Sequence, residues 1–229
     1  SLRRSWVNWG IAKRMTRPRS RWTAAPALDE DSVLSLAGAL AVATPIARLL
    51  VHRGYGDAAA AKKFLRPRLE QLHSGSAMMS LDVAVDRIVR AIRGGELIMI
   101  HGDYDVDGIC STTLLVRAIR GFGGNVVPFI PNRMTDGYDL SAAGVARAIE
   151  LGAKVVVTCD CGTSALEPVL ALNAAGIDVV ISDHHLPRES LPDSLALRNL
   201  RIPDCGYPDK DLAAFGVAFN LALALAIAL

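Results

Sequence analysis

The stretch LIMIHGDYDVDG, residues 97–108, decides the fold. Its first four residues form an unbroken apolar run that stops at a loop of glycine and aspartate. Two later segments have the same form. Val155-Val156-Val157-Thr158 leads into Cys159-Asp160-Cys161-Gly162, and Val179-Val180-Ile181-Ser182 leads into Asp183-His184-His185. Continuous β-branched runs belong to strands buried on both faces. Between them the apolar spacing changes to that of helices, over residues 109–119, 141–151 and 164–175, with a further strand over 126–130 ended by Pro131. Alternating strands and helices predict an α/β fold, a parallel sheet with helices on both faces, Rossmann-like in architecture.

Upstream, Val85, Ile88, Val89 and Ile92 recur at three- and four-residue spacing, which predicts a helix over 82–92 closed by Gly94-Gly95. The first seventy-odd residues read as short helices, including 47–52 and 58–65. Asp57 caps the second of these and Pro67 follows its end. The expected division is a basic arm and helical segment over 1–75, then the α/β domain over 76–229.

Composition agrees with a globular chain. Of 229 residues, 51% are hydrophobic and 21% charged, far from disordered or collagenous sequences. Four cysteines, none in a CxxC pair, make no disulfide framework and fit a reducing compartment. They read as small buried residues rather than zinc ligands. The net charge of +2 hides an asymmetry, because residues 1–22 hold Arg3, Arg4, Lys13, Arg14, Arg17, Arg19 and Arg21 and no acid. A basic arm on a mildly acidic body suits an anionic partner. It also looks like a transit peptide, but two tryptophans and the lack of periodicity weigh against that. No apolar segment of a secretory signal follows the early arginines, so a cytoplasmic location is expected. Residues 212–229 carry no charge and approach the length of a membrane span. Their alanine content, with Gly216 and Asn220 inside, reads as a core helix, and no membrane association is expected.

In parallel α/β sheets, ligands sit at the carboxyl ends of the strands. Three such ends carry carboxylates here, one followed by paired histidines. If 103–107 stays extended, Asp103, Asp105 and Asp107 share one side. Like charges so close raise one another's pKa unless a cation lies between them. Oxygen ligands favour Mg²⁺ or Mn²⁺, and imidazole shifts the preference toward Mn²⁺. Four or more carboxylates with one or two histidines make a two-ion site feasible, suited to phosphoryl displacement with ions roughly 3.5–4 Å apart. A calcium loop starting at Asp103 is excluded, because Leu114 stands where the bidentate Glu is needed.

The combination of Asp103-Tyr104-Asp105-Val106-Asp107-Gly108, Asp160-Cys161-Gly162 and Asp183-His184-His185 resembles the first three motifs of the DHH phosphoesterase superfamily. Within it, the chain is most similar to the RecJ-type single-stranded-DNA exonucleases. That likeness is carried by Arg53-Gly54, Phe64-Leu65-Arg66-Pro67, Pro131-Asn132-Arg133, Asp136-Gly137-Tyr138 and Tyr207-Pro208. The resemblance implies metal ligands at Asp105, Asp107, Asp160 and His184, with Asp103 and Asp183 as supporting acids. It implies His185 beside the scissile phosphate and Arg133 as a phosphate contact.

The implied activity is Mn²⁺- or Mg²⁺-dependent 5′→3′ release of mononucleotides from single-stranded DNA, with two ions, in recombination and repair. A single-strand-binding protein is the implied partner. By the same likeness a further aspartate and a C-terminal DNA-binding domain are expected downstream, so the domain is read as incomplete at its C-terminus. Ala213-Ala214-Phe215-Gly216 departs from the expected Gly-x-Gly. Two alternatives stay open: a small-substrate phosphodiesterase or pyrophosphatase of the same superfamily, and a DHH-like module that binds without turnover.

Overall fold

The computed structural model describes residues 23–229. The basic arm read over residues 1–22 lies outside them. The chain divides into two compact units after Gln71. The described part of the first unit holds α1 (Glu30–Leu40), α2 (Thr44–His52) and α3 (Ala58–Leu65) around Val33, Leu36, Ala47, Leu50 and Ala61. Asp29 and Asp57 cap α1 and α3 by accepting the backbone N–H groups of Ser32 and Ala60.

The second unit holds the sheet. In chain order it runs α4 (Leu81–Gly94), β1 (Ile98–Gly102), α5 (Val106–Gly121), β2 (Val126–Phe129), α6 (Ala142–Leu151), β3 (Val155–Cys159), α7 (Leu166–Ala174), β4 (Asp178–Asp183), β5 (Ala196–Asn199) and α8 (Ala214–Ala228). The five strands are parallel, in the order β2-β1-β3-β4-β5. Strand side chains alternate between two cores. Ile98, Ile100, Val155, Val157 and Val180 face α4, α5 and α8, whereas Met99, Val156, Val179 and Ile181 face α6 and α7. Burial on both faces explains the continuous apolar runs. The order reverses between β1 and β3, the switch point at which such sheets bind ligands.

Three expectations are corrected. Residues 103–107 are not extended throughout, because α5 begins at Val106 rather than 109. Asp105 Oδ1 accepts the N–H groups of Asp107 (2.9 Å) and Gly108 (3.0 Å), so the aspartate acts as an N-cap and starts the helix early. A fifth strand, β5, was not anticipated; its sequence Ala-Leu-Arg-Asn lacks the β-branched signal, although all but Leu197 are buried. Cys159, Cys161 and Cys205 are buried as read, but Cys110 is exposed on the outer side of α5.

The apolar run at the end folds as α8. Val217, Ala218, Leu221 and Leu225 are buried, whereas Leu223 and Ile227 are exposed. No single helix among the described residues is long and apolar enough to cross a membrane.

Candidate metal centre

The tips of β1, β3 and β4 converge. Asp103 follows β1, and its N–H donates to the Cys159 carbonyl at the end of β3 (3.1 Å). Helix α5 starts against this backbone, and a Cβ on Gly108 would lie 2.5 Å from the Asp103 carbonyl oxygen. Only glycine lets the helix approach that closely.

Asp160 leaves the end of β3 in the left-handed region, φ +64°, a costly conformation for a non-glycine residue. Its N–H donates to Ser182 O (3.0 Å), and Thr158 Oγ1 donates to Cys161 O (2.7 Å), which pins the turn. The Asp160 side chain is thereby turned into the site, 1% exposed.

Two clusters share Asp160. Ligand atoms of Asp103, Asp105 and Asp160 lie within 4.8 Å of one another, and so do those of Asp160, His184 and His185. Asp160 Oδ1 is buried without a hydrogen-bond partner among the described residues. His184 Nε2 is 3.2 Å away, but not aligned to donate. Burial, then the charges of Asp107 and Asp105, push the Asp160 carboxyl up to about 8. Asp103 is also raised, chiefly by burial. Buried like-charged oxygens with an orphaned acceptor fit a hard divalent cation. Asp103, Asp105, Asp160 and His184 could hold one, while the His185 ring is committed to Asp183.

Asp183, at the end of β4, is occupied differently. Its Oδ1 accepts from the His185 ring at Nδ1 (2.8 Å) and from the N–H groups of His184 (2.7 Å) and His185 (3.2 Å). Its Oδ2 accepts the Thr163 N–H (3.0 Å). Burial would raise this acid, but the bonds from His185 and Thr163 outweigh it and hold it down at about 2. The bond to Asp183 in turn lifts His185 to about 9. With Nδ1 held, His185 presents Nε2, which lies 3.3 Å from the Tyr138 hydroxyl.

Helix α8 completes the surroundings. Leu212 O lies 3.3 Å from His184 Nδ1 and orients the ring, leaving Nε2 toward the acids. Asp107 accepts the N–H groups of Ala214 (2.8 Å) and Phe215 (2.7 Å), and stands 3.8 Å from His184 Nε2. Of the residues expected as ligands, Asp105, Asp160 and His184 lie in the two clusters, and Asp107 caps α8 at their edge. Asp103 and His185, expected in supporting or phosphate-facing roles, lie within the clusters. The Arg133 guanidinium lies 5.0 Å over the Tyr104 ring.

Sequence reasoning assigned no role to Tyr138, Asp139 or Asn199. Asp139 Oδ1 accepts the Gly162 N–H (2.6 Å), tying the loop after β2 to the β3 tip. Asn199 Nδ2 donates to His185 O and to Thr163 Oγ1, each at 2.8 Å. Tyr138 was already quoted within Asp136-Gly137-Tyr138, with Asp139 next to it, whereas Asn199 ends the unrecognised strand.

The sequence profile of the DHH family, N-terminal domain, matches residues 97–228. The single-stranded-DNA-specific exonuclease RecJ of Bacillus subtilis (strain 168) is 38% identical over 197 residues, covering 86% of this chain and 25% of that protein. The RecJ of Thermus thermophilus is 32% identical over 209 residues, covering 91% of this chain and 30% of that protein. The chain thus spans between a quarter and a third of these relatives. A crystal structure of Thermus thermophilus RecJ with Mn²⁺ superposes with a TM-score of 0.64 at 30% identity, over 86% of this chain and 27% of that one. One of exonuclease RecJ bound to manganese gives 0.61 at 33% identity, over 66% of this chain and 38% of that one. With a matching profile across the sheet that carries the acidic strand tips, the chain belongs to the DHH family.

Proposed function

We propose that this chain is the catalytic-core portion of a Mn²⁺- or Mg²⁺-dependent single-stranded-DNA exonuclease, with residues 76–229 as its DHH domain. The observation that carries the reading is Asp160, a buried acid with an orphaned oxygen where two clusters of metal-ligating side chains meet. The similarity to RecJ proteins supports the choice of single-stranded DNA. Cleavage in the 5′→3′ direction with mononucleotide release, a role in recombination and repair, a single-strand-binding partner and a cytoplasmic location belong to the same proposal.

Asp103, Asp105, Asp160 and His184 would hold the cation, with Asp107 at the edge of the set. One or two ions there would supply an acidified water and charge neutralisation for phosphoryl displacement. Asp183 keeps His185 protonated at neutral pH, so its Nε2–H can donate to a phosphate oxygen or to the departing oxygen. The cap bonds from Asp105 and the Leu212 carbonyl hold the ligand side chains before substrate arrives, so little reorganisation is needed. Arg133 offers a guanidinium to the incoming strand.

The test is incubation with end-labelled single-stranded DNA in Mn²⁺, beside Asp105→Ala and a double-stranded substrate. Release of 5′ mononucleotides from the single strand, lost in the variant, supports the reading. Cleavage of a dinucleotide or pyrophosphate but not the strand replaces it with a small-substrate hydrolase. No turnover on any of them contradicts catalysis by this chain.

A further inference from the structure

Beside the metal centre, on the β4–β5 side of the sheet, lies a cavity of about 800 Å³. Its lining includes Asp183, His184 and His185 together with Ser164, Arg188 and Arg201. The volume exceeds what a single phosphate at the cations needs and matches that of a nucleotide-sized ligand site.

The two arginines come from loops that are fixed to the catalytic histidines by one buried side chain. Asn199, 1% exposed, donates from Nδ2 to His185 O (2.8 Å) and accepts the Arg201 N–H at Oδ1 (2.8 Å). Arg188 leaves the same loop three residues after His185. Its guanidinium takes part in none of the ion pairs among the described residues. Among the described residues Arg201 pairs only with Asp211 (2.9 Å), whose side chain is 89% exposed. A pair of that kind is worth little and yields readily to a better anion. The acids on the cavity wall do not compete, because Asp183 is committed to His185 and Thr163, and Asp139 to the N–H groups of Gly162 and Leu140.

We propose that Arg188 and Arg201 form an anion subsite that takes a second phosphate of the substrate, next to the one at the Asp160 clusters, so that the cavity favours ligands carrying two phosphates. The proposal rests on the phosphoryl-transfer reading of the metal centre. Guanidinium forks bind phosphate through paired charge-assisted hydrogen bonds, and here they would balance an otherwise acidic crevice. The second phosphate is either the 5′-terminal group or an internal linkage of a strand.

Calorimetric titration of the full chain in Mn²⁺ with thymidine 3′,5′-bisphosphate and with thymidine 5′-monophosphate tests this. The parent is expected to bind the bisphosphate about 10-fold more tightly. In Arg188→Ala/Arg201→Ala that ratio should fall to about 1 with the monophosphate affinity kept, and Asp211→Ala should tighten the bisphosphate about twofold. Retention of the Mn²⁺-induced rise in Tm shows that the double variant is folded with its metal centre intact. Comparing d(pTpT) with d(TpT) assigns the source: an Arg-dependent loss without the 5′-phosphate marks the terminal group, and an unchanged Arg-dependent affinity marks the linkage. An unchanged bisphosphate preference in the double variant overturns the subsite alone. If the parent binds neither nucleotide, the reading of the metal centre falls with it.

Discussion

The two halves of the candidate site solve opposite electrostatic problems. On the β1–β3 side, Asp103, Asp105 and Asp160 face one another, and the nearby His185 ring donates to Asp183 rather than to them, so Asp160 is still pushed up to about 8. On the β4 side, Asp183 is as deeply buried, yet it sits at about 2 because His185 and Thr163 satisfy it. Burial alone does not decide a carboxylate's role. The matched acid positions its neighbours, and the unmatched ones leave charge for a ligand to neutralise.

The largest effect is expected where the charge is unmatched. Asp160→Ala should lower kcat/KM on single-stranded DNA by about a thousandfold or more, a barrier change of roughly 4 kcal/mol. A loss under tenfold would place the cation elsewhere. Asp183→Asn attacks the matched half, where one acceptor would replace a carboxylate bonded on both oxygens. Stability should fall by about 2–4 kcal/mol. The His185 imidazole, followed by NMR, should titrate well below about 9. The Asp183–His185 pair stabilises fully between pH 3.8 and 6.5; its contribution is lost as pH falls through about 2 or rises through about 9. An unmoved His185 titration would break the contrast between the halves.

A third charge sharpens it. Arg198 on β5 is 0% exposed and, among the described residues, bonds only to Val217 O and Met78 Sδ and leaves its Nε unpartnered. Burial draws it down to about 10. Because that buried charge has so few partners, Arg198→Met should raise stability by about 1–3 kcal/mol in denaturant unfolding. Destabilisation would show that the guanidinium is better satisfied than its two contacts suggest.

The sheet was legible because its strands are buried on both faces, so Leu97–Ile100, Val155–Thr158 and Val179–Ser182 stand out as apolar runs. The acids at their tips were legible for the same reason, since fold class alone says where such tips converge. What escaped depended on contacts distant in sequence. That Asp107 also accepts the N–H groups of Ala214 and Phe215 could not be read from the acidic run, because those residues lie more than a hundred positions away. Asn199 was hidden because β5 mixes a buried arginine and asparagine into a short strand, which no periodicity signals.

The most direct test is the melting temperature of the parent and Asp160→Asn at pH 5 and pH 8, with and without Mn²⁺. Because the Asp160 carboxyl is raised from 3.8 to about 8 in the folded chain, its penalty is absent below pH 3.8 and complete above about 8. The metal-free parent should therefore melt lower at pH 8 than at pH 5, and Mn²⁺ should restore it. Asp160→Asn should melt above the metal-free parent at pH 8 and gain little from Mn²⁺. A parent indifferent to Mn²⁺, or a variant that gains as much from it, would contradict a metal centre built on Asp160.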